Sequence, residues 1–281
     1  MKMSGKKREL TTREIQLATL EILKQFIEIC EDNDLCYYLA YGSLIGAIRH
    51  QGFIPWDDDL DVYMPRPDYN KLLDFFDDPQ HDTGSLLAIH TTENKLIPFL
   101  ITRISDTHYK QVGEYDDEIP QMGTFIDIYP LDGLYGSSKE AHRESRKVHT
   151  ISSNYMRAGK FSTPYKLANP LMRVVKSIWP LILKDARTYW EELSLYTTVE
   201  EYEQADYVAC KIWNDTKGSL IVDEKSDYGE GKQAIFEGLK VRIPDNADAI
   251  LRRIYGDYMQ LPPVKERIGH HYYSIVPRDD N

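Results

Sequence analysis

Residues 41–61 read YGSLIGAIRHQGFIPWDDDLD, and the pattern around this stretch decides the fold. Leu35 to Ala40 is an apolar, tyrosine-containing run that breaks at Gly42-Ser43, as a strand does on entering a tight turn. Leu44 to His50 reads as a short helix, interrupted by Gly52 and Pro55. Asp59 to Met64 then alternates acidic and apolar side chains, so an extended strand directs Asp59 and Asp61 to one face and Leu60 and Val62 to the other. Two carboxylates about 4 Å apart repel by roughly 4 kcal/mol at an effective dielectric of about 20. A shared proton, an arginine or a divalent cation offsets that cost. Mg2+ or Mn2+ suits such donors, because both take carboxylate oxygens together with substrate phosphates. The competing reading of Asp57, Asp58 and Asp59 is a solvated acidic turn.

Upstream, Thr11 and Glu14 have the spacing of a capping box ahead of Ile15, Ala18, Ile22, Phe26 and Ile29, which predicts a first helix ending near Asn33. Downstream, Pro65 and Pro67 close the acidic strand, Asp68 to Phe76 is helical, and Leu86 to His90, Pro98 to Ile104 and Phe125 to Tyr129 read as strands. The last of these contains Asp127 among apolar neighbours. A buried aspartate needs a cation, a metal or several donors; the alternative is a hydrogen-bonded core residue. Beyond Ser138 helical patterns dominate, over Arg143–Tyr155, Leu171–Leu183 and Val199–Trp213, before a strand Phe236–Ile243 and a helix Ala247–Met259. The expected layout is α+β: a catalytic core with a mixed β-sheet and flanking helices over 1–137, a basic helical insert over 138–233, and a C-terminal strand-helix unit over 234–281 that packs back on the core.

A 42% hydrophobic and 28% charged composition is that of a globular chain, with no apolar run of the ~18 residues a membrane helix needs. The first residues are basic but lack the apolar region of a secretory leader, so a cytoplasmic location is expected. Cys30, Cys36 and Cys210 make no metal spacing and read as reduced thiols. A net charge of −11 disfavours nucleic acid as a partner. Residues 139–187 run against that average, with eleven Lys or Arg and three acids. Within them, residues 164–184 have the amphipathic, cationic character of a helix lying on an anionic membrane, at its inner face, or of an ordinary helix with solvated lysines.

An apolar strand ending in Gly-Ser, two acids one residue apart on the next strand and a third acid on a later strand resemble the nucleotidyltransferase fold of the polymerase-beta-like superfamily, which implies a two-metal site. A narrower likeness lies in residues 41–61, in Phe125–Gly133, in Phe236-Glu237-Gly238 and in Tyr255–Pro263, which resemble the blocks of the LicD family of phosphotransferases. Ser43 stands where threonine is common in that family, and Tyr129 where phenylalanine is common.

The resemblance implies metal-dependent transfer of phosphocholine, or a related polyol phosphate, from CDP-choline or another CDP-linked donor to a hydroxyl of a lipid-linked cell-surface glycan or teichoic acid precursor, releasing CMP. Asp59, Asp61 and Asp127 are then the catalytic ligands of Mg2+ (or Mn2+), with Asp127 the candidate general base. Gly42 and Ser43 are placed to approach phosphate, Arg49 to clamp a diphosphate and His50 to touch it; Trp56 and Tyr41 offer aromatic faces to a quaternary ammonium. Each has a plainer alternative: a salt bridge from Arg49 to an aspartate, a structural His50, core packing for both aromatics. Nucleotidyl transfer releasing pyrophosphate uses the same three acids. A glycosyltransferase reading of Asp59-Leu60-Asp61 leaves Gly42-Ser43 and Asp127 without a role.

Overall fold

A computed structural model of the chain describes residues 8–113, 119–159, 178, 182–212, 221–269 and 273–278. The first helix, α1 (Thr12–Asp32), starts at the expected capping box, where the Glu14 carboxylate accepts from Thr11 N at 2.8 Å, and ends at Asn33. Its apolar stripe buries Ile22, Leu23 and Phe26. The predicted strand at Leu35–Ala40 shortens to β1 (Tyr38–Leu39). The chain turns not at Gly42 but one residue earlier, at Tyr41, whose φ of 44° is left-handed. Gly42 and Ser43 consequently lie inside α2 (Tyr41–Ile45), which runs into a π-helical turn, Gly46–His50.

A strand and a helix follow in the expected order: β2 (Asp61–Pro65) and α3 (Arg66–Asp77). Pro67 sits in the first turn of α3, where a missing N–H leaves no helical bond unmade. Next come β3 (Leu86–Ile89), β4 (Thr102–Asp106), β5 (Tyr109–Val112) and β6 (Thr124–Leu134), the last buried along its whole length. The following segment contains α4 (Ser138–Ala158), α5 (Ala186–Ser194), α6 (Val199–Gln204), β7 (Tyr207–Ala209) and β8 (Asp223–Glu224). The C-terminal part is β9 (Lys232–Phe236), β10 (Leu239–Ile243), α7 (Ala247–Tyr255) and β11 (Ser274–Pro277).

The strands build a mixed sheet in the order β1-β2-β6-β4-β3, with β7 and β8 continuing from the far half of β6. The β2–β6 pair is parallel and its neighbours are antiparallel. Alternation along each strand divides two cores. Leu39, Val62, Met64, Ile126 and Ile128 pack with Ile22 and Phe26 of α1 and Leu72 of α3, while Tyr38, Tyr63, Phe125 and Tyr129 fill the opposite side.

Three further sequence expectations change. The helix predicted over Val199–Trp213 stops at Gln204, because residues 207–209 pair with Leu134, Gly133 and Asp132 and satisfy the edge of the long β6. The single strand Phe236–Ile243 is a hairpin, turned by Glu237 and Gly238 with φ of 49° and 84°, the left-handed pair a two-residue hairpin turn needs. The last helix ends at Tyr255, before Gly256 at φ 69°, rather than at Met259. Phe236, Val241 and Leu251 from this unit join the core packed on α1. The amphipathic stretch 164–184 lies outside the described residues except for residues 178 and 182–184. Among the described residues no helix is long and apolar enough to cross a membrane.

Candidate active site

Strand register brings two of the three predicted acids together. Asp61 on β2 is the direct partner of Asp127 on β6, and in parallel strands such partners share a face. Asp59 lies two residues upstream, just before β2 begins, while Leu60 and Val62 are fully buried on the other side. The start of the strand is pinned by its surroundings. Asp61 N donates to Ser43 Oγ at 2.8 Å, Ala40 N to Asp61 O at 2.9 Å, and Asp127 N to Leu60 O at 2.9 Å. From α1, Gln16 Nε2 donates to Asp57 O at 2.7 Å and ties down the acidic turn. Gly42 faces this turn closely: a Cβ there would stand 3.1 Å from Asp57 Oδ2.

The charges at this point add rather than cancel. Burial pushes the Asp61 carboxyl well above its ordinary range, and Asp59, Asp127 and Asp57 push it further; the hydrogen bond with Tyr129 opposes them. Asp127 is 2.8 Å from Arg103 Nε. The Arg103 guanidinium lies between two rings, 4.5 Å from the centre of Phe99 and 4.2 Å from that of Phe125.

The family model described as "LicD/FKTN/FKRP, nucleotidyltransferase domain" matches residues 34–175, half of the chain, including β2 and β6 with their acids. The chain belongs to this family. Over 279 residues it is 29% identical to the lipopolysaccharide cholinephosphotransferase LicD of Haemophilus influenzae, an alignment that covers 94% of this chain and 97% of that protein. Uncharacterized proteins of Rickettsia typhi and Rickettsia prowazekii are also similar, at 37% identity over 68% of this chain and 66% of theirs, and at 25% over 66% and 72%.

The other residues singled out from the LicD-like blocks surround the acids in distinct ways. Ser43 is buried and its hydroxyl positions Asp61. Tyr41 packs against Tyr63 at 5.0 Å and Tyr129 at 5.1 Å between ring centres. Arg49 forms none of the anticipated aspartate salt bridges among the described residues: its Nε donates to His50 Nε2 at 2.9 Å and its NH1 to the Tyr258 carbonyl. Burial and the Arg49 charge lower the His50 pKa, which keeps its ring neutral and able to accept that bond. Trp56 already carries a cation on its ring, the guanidinium of Arg267 at 5.3 Å.

Arg103, Tyr255 and Tyr273 were not legible as site residues. Burial and the nearby Asp61 and Asp57 raise the Tyr255 hydroxyl pKa; burial, Asp59, Asp58 and Asp127 raise that of Tyr273, against the opposing charge of Arg103. Arg103 reaches Asp127 only through the β4–β6 register, in which the two residues are partners, and no local pattern encodes that pairing. Tyr255 opens one of the family-like blocks, the one signal that marked it; Tyr273 carried none.

As placed, no group of three or more His, Cys, Asp and Glu side chains among the described residues forms a metal-holding cluster. The donor set nonetheless fits Mg2+ or Mn2+ in kind. Asp61 and Asp127 share a face, Asp59 and Asp127 both act on the charge of Asp61, and every donor is the hard carboxylate oxygen these ions prefer.

Proposed function

We propose that the protein is a metal-dependent transferase that moves phosphocholine, or a related polyol phosphate, from a CDP-linked donor to a hydroxyl of a lipid-linked cell-surface glycan, releasing CMP. The observation that carries this reading is the side-by-side register of Asp61 and Asp127 within a LicD-family chain aligned almost end to end with a lipopolysaccharide cholinephosphotransferase. Asp59, Asp61 and Asp127 would hold Mg2+ or Mn2+, which when bound supplies charge neutralisation at the transferred phosphoryl group.

The chain's own residues do the remainder. Ser43 and Gln16 fix the strand and turn that carry the acids, and Arg103 orients Asp127 through a charge-assisted bond. Asp127 would accept the proton of the attacking hydroxyl. Gly42, lacking a Cβ, lets the start of α2 lie close against the acidic turn, and Tyr41, Tyr255 and Tyr273 would supply aromatic faces suited to a quaternary ammonium beside carboxylates.

The test incubates the protein with CDP-choline, Mg2+ and candidate lipid-linked glycans, teichoic acid precursors among them, and identifies both products by mass spectrometry. CMP together with a phosphocholine-modified glycan is the expected result. Pyrophosphate release from a nucleoside triphosphate instead would replace this reading by nucleotidyl transfer.

A further inference from the structure

In a chain with 45 acidic residues, neither Arg49 nor Arg267 meets a carboxylate among the described residues. Nearby arginines are neutralised: Arg252 pairs with Asp248 at 2.8 Å, and Arg253 with Asp227 at 3.0 Å and with Asp223. Arg49 instead donates to His50 and the Tyr258 carbonyl, and Arg267 Nε to the Pro262 carbonyl at 2.9 Å. The two guanidiniums are also close enough that the charge of Arg267 adds to burial in lowering the Arg49 pKa. Like charges brought together in a partly buried place, with only neutral acceptors beneath them, leave an attraction for an anion unmet.

Position narrows the anion. Arg267 lies over the ring of Trp56, the residue immediately before Asp57. Tyr258, whose carbonyl holds Arg49, follows three residues after Tyr255, whose hydroxyl feels the charge of Asp61 and Asp57. The pair thus borders the acid cluster, and a bidentate fork is the geometry that matches phosphate oxygens.

We propose that Arg49 and Arg267 form a two-guanidinium site for a phosphate or diphosphate group, with Trp56 as the platform that positions Arg267. This rests on the transferase reading only for its role, which is to take the part of the donor diphosphate that the acids repel. It also gives Trp56 a task other than holding a quaternary ammonium.

The test uses inorganic pyrophosphate with the full chain in EDTA, so that neither donor nor metal is present, and reads the dissociation constant by calorimetry and the ligand-induced shift in melting temperature. Wild-type protein should bind pyrophosphate and melt higher with it. Arg267→Gln and Arg49→Gln should each weaken binding at least about tenfold, Trp56→Leu should weaken it, and Trp56→Phe should restore most of it. Absence of binding to the wild type, or an undiminished pyrophosphate shift in Arg267→Gln, overturns the proposal. Arg267 lies on a partly exposed segment, so its variant remains informative even if Arg49→Gln fails to fold. A protein that passes this test yet yields no CMP from CDP-choline keeps the anion site and loses the transferase reading.

Discussion

Strand β6 carries two buried aspartates five positions apart, and their surroundings are opposite. Asp132 is fully buried and held by one cation and one backbone N–H. Arg66 Nε lies 2.6 Å from its Oδ1, Lys211 N donates to its Oδ2 at 3.3 Å, and the Lys211 ammonium is itself buried between Glu144 at 2.7 Å and Glu201 at 3.2 Å. Asp127 has Arg103, but it also has Asp61 as its register partner, and Asp61 makes no ion pair among the described residues while three acids act on it. One end of the strand is a set of paired charges that ties α3 and the residue two positions after β7 to β6. The other gathers negative charge that folding alone gives no reason to gather. Burial of an acid is therefore not by itself the mark of a site; excess of one sign is.

The largest expected effect is on turnover. Asp61→Asn should lower it by at least about a thousandfold, while the melting temperature in EDTA stays at or above that of the wild type, since the substitution removes like-charge repulsion. A variant that loses both activity and fold would erase the contrast with Asp132. At the other end of β6, Asp132→Asn or Arg66→Met leaves a buried charge without its partner and should destabilise by about 3–5 kcal/mol in chemical denaturation. Replacing both partners with apolar residues should recover much of that loss, and the folded fraction should retain its activity.

Arg103 tests the middle ground, being an ion-pair partner inside the acidic region. Arg103→Gln should reduce turnover by about 10–100-fold through misplacement of Asp127, with Arg103→Lys partly restoring it and the pH profile shifted in both. A purely structural arginine would move stability and leave that profile in place.

The smallest effect belongs to Glu14, an acid satisfied at the surface. The hydrogen bond from Arg8 and those from Thr11 depress its pKa from 4.5 to about 2. A depressed carboxylate stabilises the fold above its unfolded pKa, and that contribution fades as pH falls from 4.5 toward 2. The stability difference between wild type and Glu14→Gln, measured by denaturant titration, should accordingly shrink over that window. Thr11→Ala should lose about 1 kcal/mol at neutral pH.

What the sequence disclosed and what it hid divide along the same line. Thr11 and Glu14 announced α1 because a cap is a local event, and the alternation from Asp59 to Met64 announced a strand with its acids on one side. Asp127 was legible as an acid inside an apolar run. Its partners were not, since Arg103, 24 residues away, and Tyr273, far along the chain, reach the cluster only through sheet pairing and the return of the C-terminal segment. The turn at Tyr41 is displaced by one residue from the glycine at which the sequence pattern put it, because the left-handed conformation falls on the tyrosine and Gly42 is needed for its close approach to Asp57. The strand β7 was concealed within a helical pattern, as its existence depends on the unpaired edge of β6.

The most direct test of the account is a titration of the metal-free protein with Mn2+, followed by the electron paramagnetic resonance signal of the free ion. Wild-type protein should bind Mn2+ saturably, Asp59→Asn, Asp61→Asn and Asp127→Asn should each lose most of that binding, and Asp132→Asn should keep it. No binding to the wild type, or binding undiminished in Asp61→Asn, would contradict the assignment of the β2–β6 carboxylates as a divalent-cation site.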